Sequence, residues 1–238
     1  QSINKKDLII YIFRGFAHGA GVILWLYAMS RIPIAEVTAI SYTGPIYISI
    51  GAAIFFGEKL ALRRIIAIFI AFIGTLIILR PGFQEISTGQ LAQIISAPLF
   101  AISYLLSKEL TKKHNCLVIV CMLSVFVTLI LAPPAISVWV QPSIKEILSL
   151  GIVAILATLG HITLTQAIKS APIIIIQPIS FLQLVWATLI GYFIFSETVD
   201  IYVIVGGLVI IVSVTYISYR EMKLNTVYKI PQNNLTKL

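Results

Sequence analysis

The sequence predicts an all-α polytopic membrane protein, and three observations carry that expectation. Hydrophobic residues make up 59% of the chain and charged residues only 11%. A mean hydropathy of +1.01 leaves too little polar surface to clothe a water-soluble globule. Apolar runs of about twenty residues, each long enough to cross ~30 Å of hydrocarbon as a helix, recur along almost the whole length. A membrane β-barrel would instead show alternating segments of about ten residues, so these continuously apolar runs must satisfy their backbones internally as helices.

Eight transmembrane helices follow in order. The first, Leu8 to Met29, carries Arg14 and His18 and is thinned by Gly15, Gly19 and Gly21. It is too long for a signal-peptide core and lacks a small-residue cleavage site. The second, Ile34 to Phe56, contains Ser41, Tyr42, Thr43, Gly44 and Pro45 and stops short of Glu58; the third, Ile65 to Leu79, is brief. The fourth, Gly89 to Ser107, is expected to kink at Pro98, and the fifth, Cys116 to Val138, to be disturbed by Pro133 and Pro134. Cys116 and Cys121 have no metal-ligand company and read as packing residues. The sixth, Ile147 to Ile168, holds His161; the seventh, Ile173 to Phe195, stops short of Glu197; the eighth is Ile201 to Tyr219. A polar, basic tail covers residues 222–238.

The net charge of +8 invites a nucleic-acid reading, which the positions of the charges exclude. Threading the spans from a cytoplasmic start gathers Lys5, Lys6, Lys59, Arg63, Arg64, Lys108, Lys112, Lys113, Lys169, Arg220, Lys223, Lys229 and Lys237 on one side. The other side receives only Arg31, Arg80 and Lys145. That bias is the positive-inside signature of a multi-pass protein with both termini cytoplasmic.

An internal repeat organises the chain. At a constant shift of 139 residues, the separation of Glu58 and Glu197, Ile40 falls on Ile179, Ser41 on Ser180, Tyr42 on Phe181 and Tyr47 on Trp186. Upstream, Gly21 meets Gly160, Ala28 meets Ala167, and Pro33 with Ile34 meets Pro172 with Ile173. The second copy runs through five spans and the first through three. The first copy, residues 1–82, is therefore expected to lack its first two helices relative to the second, residues 83–221, as in a shortened ten-helix protein. An odd number of spans per repeat inverts the second copy, the architecture of secondary transporters whose substrates bind near the midplane between repeats.

The stretches "RIPIAEVTAISYTGPIYISIGAAIFFGEKLALRRIIAIFIAFIGTLIILRPG", Arg31 to Gly82, and "QAIKSAPIIIIQPISFLQLVWATLIGYFIFSETVDIYVIVGGLVII", Gln166 to Ile211, resemble the drug/metabolite transporter superfamily and, within it, the EamA-type ten-helix permeases. The resemblance implies paired five-helix bundles in the bacterial inner membrane moving a small organic metabolite, such as an amino acid or S-adenosylmethionine, by alternating access. The absent first helix pair departs from that pattern and takes part of the central cavity with it.

Polar groups inside the spans are the candidates for the substrate cavity. Arg14 and His18 lie four apart on one helix face. An arginine there either meets an anionic substrate group or snorkels to the interface as an anchor. His18 and His161 sit in equivalent helices, where they either face the cavity or serve as packing. Ser41, Tyr42, Thr43, Gly44 and Pro45 in one fourth helix, and Gln177, Pro178, Ser180 and Gln183 in the other, combine proline breaks with side chains able to bond freed carbonyls. Trp25, Tyr47 and Trp186 could wall a cavity or anchor at the interface. Glu58 and Glu197 end the fourth helices, where each is expected to bond backbone amides of the following helix start, in preference to coupling protons.

No phosphate-cradling glycine loop, zinc-spaced pair or catalytic triad is present, so neither an enzyme nor a cofactor or metal is expected. His114, in the "KKHN" loop, is expected to be solvated. The expected partners are a small-molecule substrate and the lipid bilayer, with a homodimer left open. The alternative is a non-transporting remnant or membrane interaction subunit that keeps the fold without the cavity.

Overall fold

The computed structural model describes residues 3–56, 62–80, 85–170, 182–198 and 200–228. Every regular element among them is an α-helix: α1 (Lys5–Met29), α2 (Ile34–Ser41), α3 (Gly44–Phe56), α4 (Leu62–Leu79), α5 (Thr88–Thr111), α6 (Cys116–Ser137), α7 (Ile144–Ser170), α8 (Leu182–Phe195) and α9 (Ile201–Tyr228). Four of these, α1, α5, α6 and α7, are by themselves long and apolar enough to cross a membrane.

Local chemistry sets the boundaries. The Asn4 side chain accepts from the Asp7 amide at 2.8 Å to start α1, and Asn115 does the same for α6 through the Leu117 amide at 3.1 Å. Ser87 and Gln90 form a reciprocal capping box at the start of α5. Pro98, Pro133 and Pro134 all lie inside continuous helices.

The second expected span is broken in two. A proline at position 45 has no N–H for the Ser41 carbonyl, so α2 stops at Ser41 and the chain restarts as α3 at Gly44. Hydroxyls cover carbonyls around the break: Ser41 Oγ donates to Val37 O and Thr43 Oγ1 to Ile40 O, each at 2.8 Å.

The two fifth helices of the repeat, α4 and α9, pack along each other. Their closest approach is at Gly74 and Gly206, where a side chain on either would strike the opposite helix. Ser213 Oγ also donates to the Ala67 carbonyl. Position 67 is the repeat counterpart of Gly206, and position 213 that of Gly74. The pair thus meets through positions that the 139-residue shift makes equivalent.

Helix α1 lies against α5 and α6. Its start is tied to the α5–α6 turn: the Asp7 carboxylate accepts from Lys113 Nζ at 3.0 Å and lies 3.1 Å from His114 Nε2. His114 is buried, with its ring 5.6 Å from that of Tyr11. The loop histidine is therefore not solvated as its basic neighbours suggested, because Asp7 reaches it from another helix 107 residues away in sequence.

Candidate functional site

A cavity of about 480 Å³ lies where the two repeats meet. Helix periodicity explains its walls. His18, Val22 and Trp25 form one face of α1; Ala97, Phe100, Ala101 and Tyr104 one face of α5; and Ala157, His161, Leu164 and Ile168 one face of α7. The break between α2 and α3 contributes Ser41, Tyr42 and Gly44, with Ile48 a turn on, and α8 adds Gln183. His18 stands near the middle of α1, the break follows the eight residues of α2, and His161 lies in the second half of α7, so all three stand inside the bundle and away from its ends.

The two histidines meet inside it. Their ring centroids are 5.2 Å apart with planes at 70°. His18 also packs edge-to-face with Phe100 at 5.0 Å, and its Nδ1 lies 3.2 Å from Ser103 Oγ. Ser41 is committed, donating to Val37 and accepting from Gln93 Nε2 at 2.7 Å. His161 and Gln183 make no side-chain hydrogen bond among the described residues.

Seven of the residues singled out from the sequence line this cavity: His18, Trp25, Ser41, Tyr42, Gly44, His161 and Gln183. Others do not. Arg14 is buried, but its guanidinium turns to α6 and donates to the Ile119 carbonyl at 2.9 Å, joining two helices instead of facing the cavity. Thr43 is buried beside the break, and Tyr47 packs against Ile48, Ala101 and Leu105. Trp186 is 63% exposed on the outside of α8. Glu58, Gln177, Pro178 and Ser180 lie outside the described residues, as does the side chain of Pro45.

Phe100, Tyr104 and the alanines of α5 were not anticipated. Aromatic and small residues in an apolar span have no distinctive composition, and only their three- and four-residue spacing marks a common face.

Glu197 caps a helix, though not the expected one. Its carboxylate accepts from the Ile34 amide, at 3.0 Å to Oε2 and 3.2 Å to Oε1, at the start of α2 in the other repeat. The turn after α8 explains this. Ser196 takes a left-handed conformation with φ of 54°, and the Glu197 amide bonds back to the Gly191 carbonyl at 2.9 Å. Glycine at 191 leaves room for the carboxylate, which a side chain there would strike. The following helix, α9, is instead capped by Asp200, which accepts from the Tyr202 amide at 2.9 Å. Asp200 also pairs with Arg80 at 2.6 Å, and the Arg80 guanidinium stacks 4.6 Å over the Tyr202 ring. Glu197 and Asp200 thus join the repeats at one end of the bundle.

A model of the EamA-like transporter family matches residues 1–80 and 87–219. The chain is 26% identical to an S-adenosylmethionine uptake transporter of Rickettsia bellii, over 94% of this chain and 77% of that protein. It is 27% identical to a riboflavin transporter of Brucella anthropi, over 93% and 80%. It is 23% identical to a pseudopaline exporter of Pseudomonas aeruginosa, over 89% and 75%. A solved crystal structure shares the fold with a TM-score of 0.58 at 15% identity, over 90% of this chain and 88% of that one.

Proposed function

The chain belongs to the EamA-like transporter family, and we propose that the cavity between its repeats is where it holds a small organic metabolite while the protein opens to one side of the bacterial inner membrane and then the other. The observation that carries this reading is the cavity itself: a space inside the bundle, bounded by both repeats and adjoining a broken helix. Transporter sites are built in such places because interrupted helices supply polar groups inside the membrane at little cost. His18, His161, Gln183 and Tyr42 face the solute, and Trp25 closes one wall.

Alternating access needs a hinge and a closure. The Tyr42–Thr43 interruption between α2 and α3 is the hinge, because no continuous helical ladder crosses it. The closure is the Glu197 carboxylate on the Ile34 amide, which must separate for that end to open. By the charge asymmetry, both termini face the cytoplasm and this closure faces the periplasm. The relatives include proteins named for uptake and others named for export, and S-adenosylmethionine, riboflavin and amino acids are the first substrates to test.

The test is uptake into proteoliposomes. Saturable uptake of at least one of these solutes is expected. Ala101→Trp, which fills the cavity, and His161→Ala, which empties one wall, should each lower it about tenfold or more. Absence of saturable uptake across the panel, or equal uptake by folded cavity variants, would contradict the reading.

A further inference from the structure

The walls of the cavity also carry information about what fits between them. Among the described residues, none that lines the cavity is an aspartate, glutamate, lysine or arginine. A strongly charged solute would leave its charge unpaired in a low-dielectric space, which is costly. A polyol fares little better. It needs a partner for every hydroxyl, and Ser41 and Nδ1 of His18 are already engaged by protein groups. The polar capacity left on the wall lies in the ring nitrogens of His161, the amide of Gln183, Nε2 of His18, the hydroxyl of Tyr104 and the indole N–H of Trp25. The rest of the wall is rich in rings: Trp25, Tyr42, Phe100 and Tyr104 join the two imidazoles around a space of about 480 Å³. That size falls within the ~300–1,000 Å³ typical of small-molecule sites.

From this combination we infer that the cavity selects a planar nitrogen heterocycle, its faces met by the aromatic walls and its polar edge by His161 and Gln183. Flat rings gain most from aromatic faces, and ring nitrogens with exocyclic amino or carbonyl groups suit an imidazole and a carboxamide, each able to donate and accept. The inference rests on the cavity being the substrate site, but it concerns binding and is read without transport.

Trp25 provides the measurement. The other two tryptophans, Trp139 and Trp186, are 64% and 63% exposed on the outside of the bundle. Replacing both with phenylalanine leaves Trp25 as the sole indole reporter in the purified chain. Adenosine should change its fluorescence saturably. Ribose, which is adenosine without the heterocycle, and glutamate, which is charged and not planar, should not. Phe100→Leu, which keeps apolar bulk but removes the ring, and His161→Ala should each weaken adenosine binding about tenfold, with thermal unfolding used to select folded variants. The inference is overturned if adenosine gives no saturable change, if ribose or glutamate matches it, or if both variants bind adenosine as the parent does. Glutamate binding accompanied by saturable uptake would overturn the heterocycle while leaving the permease reading intact.

Discussion

Helices α1 and α7 occupy the same place in their repeats, yet they live in different surroundings. Gly21 of α1 lies against Phe100, where an added Cβ would come within 3.2 Å of the ring, and Gly15 and Gly19 lie against Phe126 and Ile130 of α6. Gly160, the repeat counterpart of Gly21, has nothing within 4 Å of such an atom. Nor has Gly151, and Ile152, Ile155 and Leu156 are all exposed. Helix α1 is held by α5 and α6, the first two helices of the second repeat. Apart from its contacts with α5 and α6 and the meeting of His161 with His18 of α1, α7 presents an open apolar face among the described residues. Equal hydrophobicity therefore does not imply equal burial within this chain: α5 and α6 cover α1, and the described residues hold no counterpart pair to cover α7. What separates the two helices among the described residues is their covering: the glycines of α1 face Phe100, Phe126 and Ile130, and those of α7 face no described side chain.

Perturbing the matched positions should sharpen this contrast. Gly21→Leu is expected to have the largest effect, destabilising the folded chain by about 1–3 kcal/mol because the new side chain must displace Phe100. Glu197→Ala should come next, at about 1 kcal/mol, by removing the carboxylate that caps α2 from the opposite repeat. Gly160→Leu should be the mildest, within about 0.5 kcal/mol, because its side chain enters open space. Thermal unfolding in one detergent ranks all three. A Gly160→Leu loss as large as that of Gly21→Leu would break the comparison by showing that α7 is covered as tightly as α1.

Much of this organisation was legible in the sequence. Hydropathy marked the helices because a membrane helix must be continuously apolar, although residues 173–181 of the expected seventh span lie outside the described residues, and the proline at 45 marked the interruption because its effect on the helix ladder is local. The repeat register paired the helices of His18 and His161, which meet in the cavity. Long-range partners were not legible. The amide capped by Glu197 lies 163 residues away, and the carboxylate beside His114 lies 107 residues away. Neither is marked by a local motif. Arg14 illustrates the limit of reading a helix face: the sequence placed it one turn from His18, but its long side chain turns to Ile119 of α6 while His18 faces the cavity.

The most direct test uses two positions on α7. Ala157 lines the cavity, whereas Ile155, two residues earlier and roughly opposite on the helix, is 63% exposed on the outer face. With Cys116 and Cys121 replaced by serine, Ala157→Cys and Ile155→Cys in membranes would be exposed to a water-soluble thiol reagent. If the space between the repeats is the solute path and the outer face meets lipid, position 157 is labelled and position 155 is not. Labelling at 155 as fast as at 157, or at 155 alone, would contradict the placement of the substrate site.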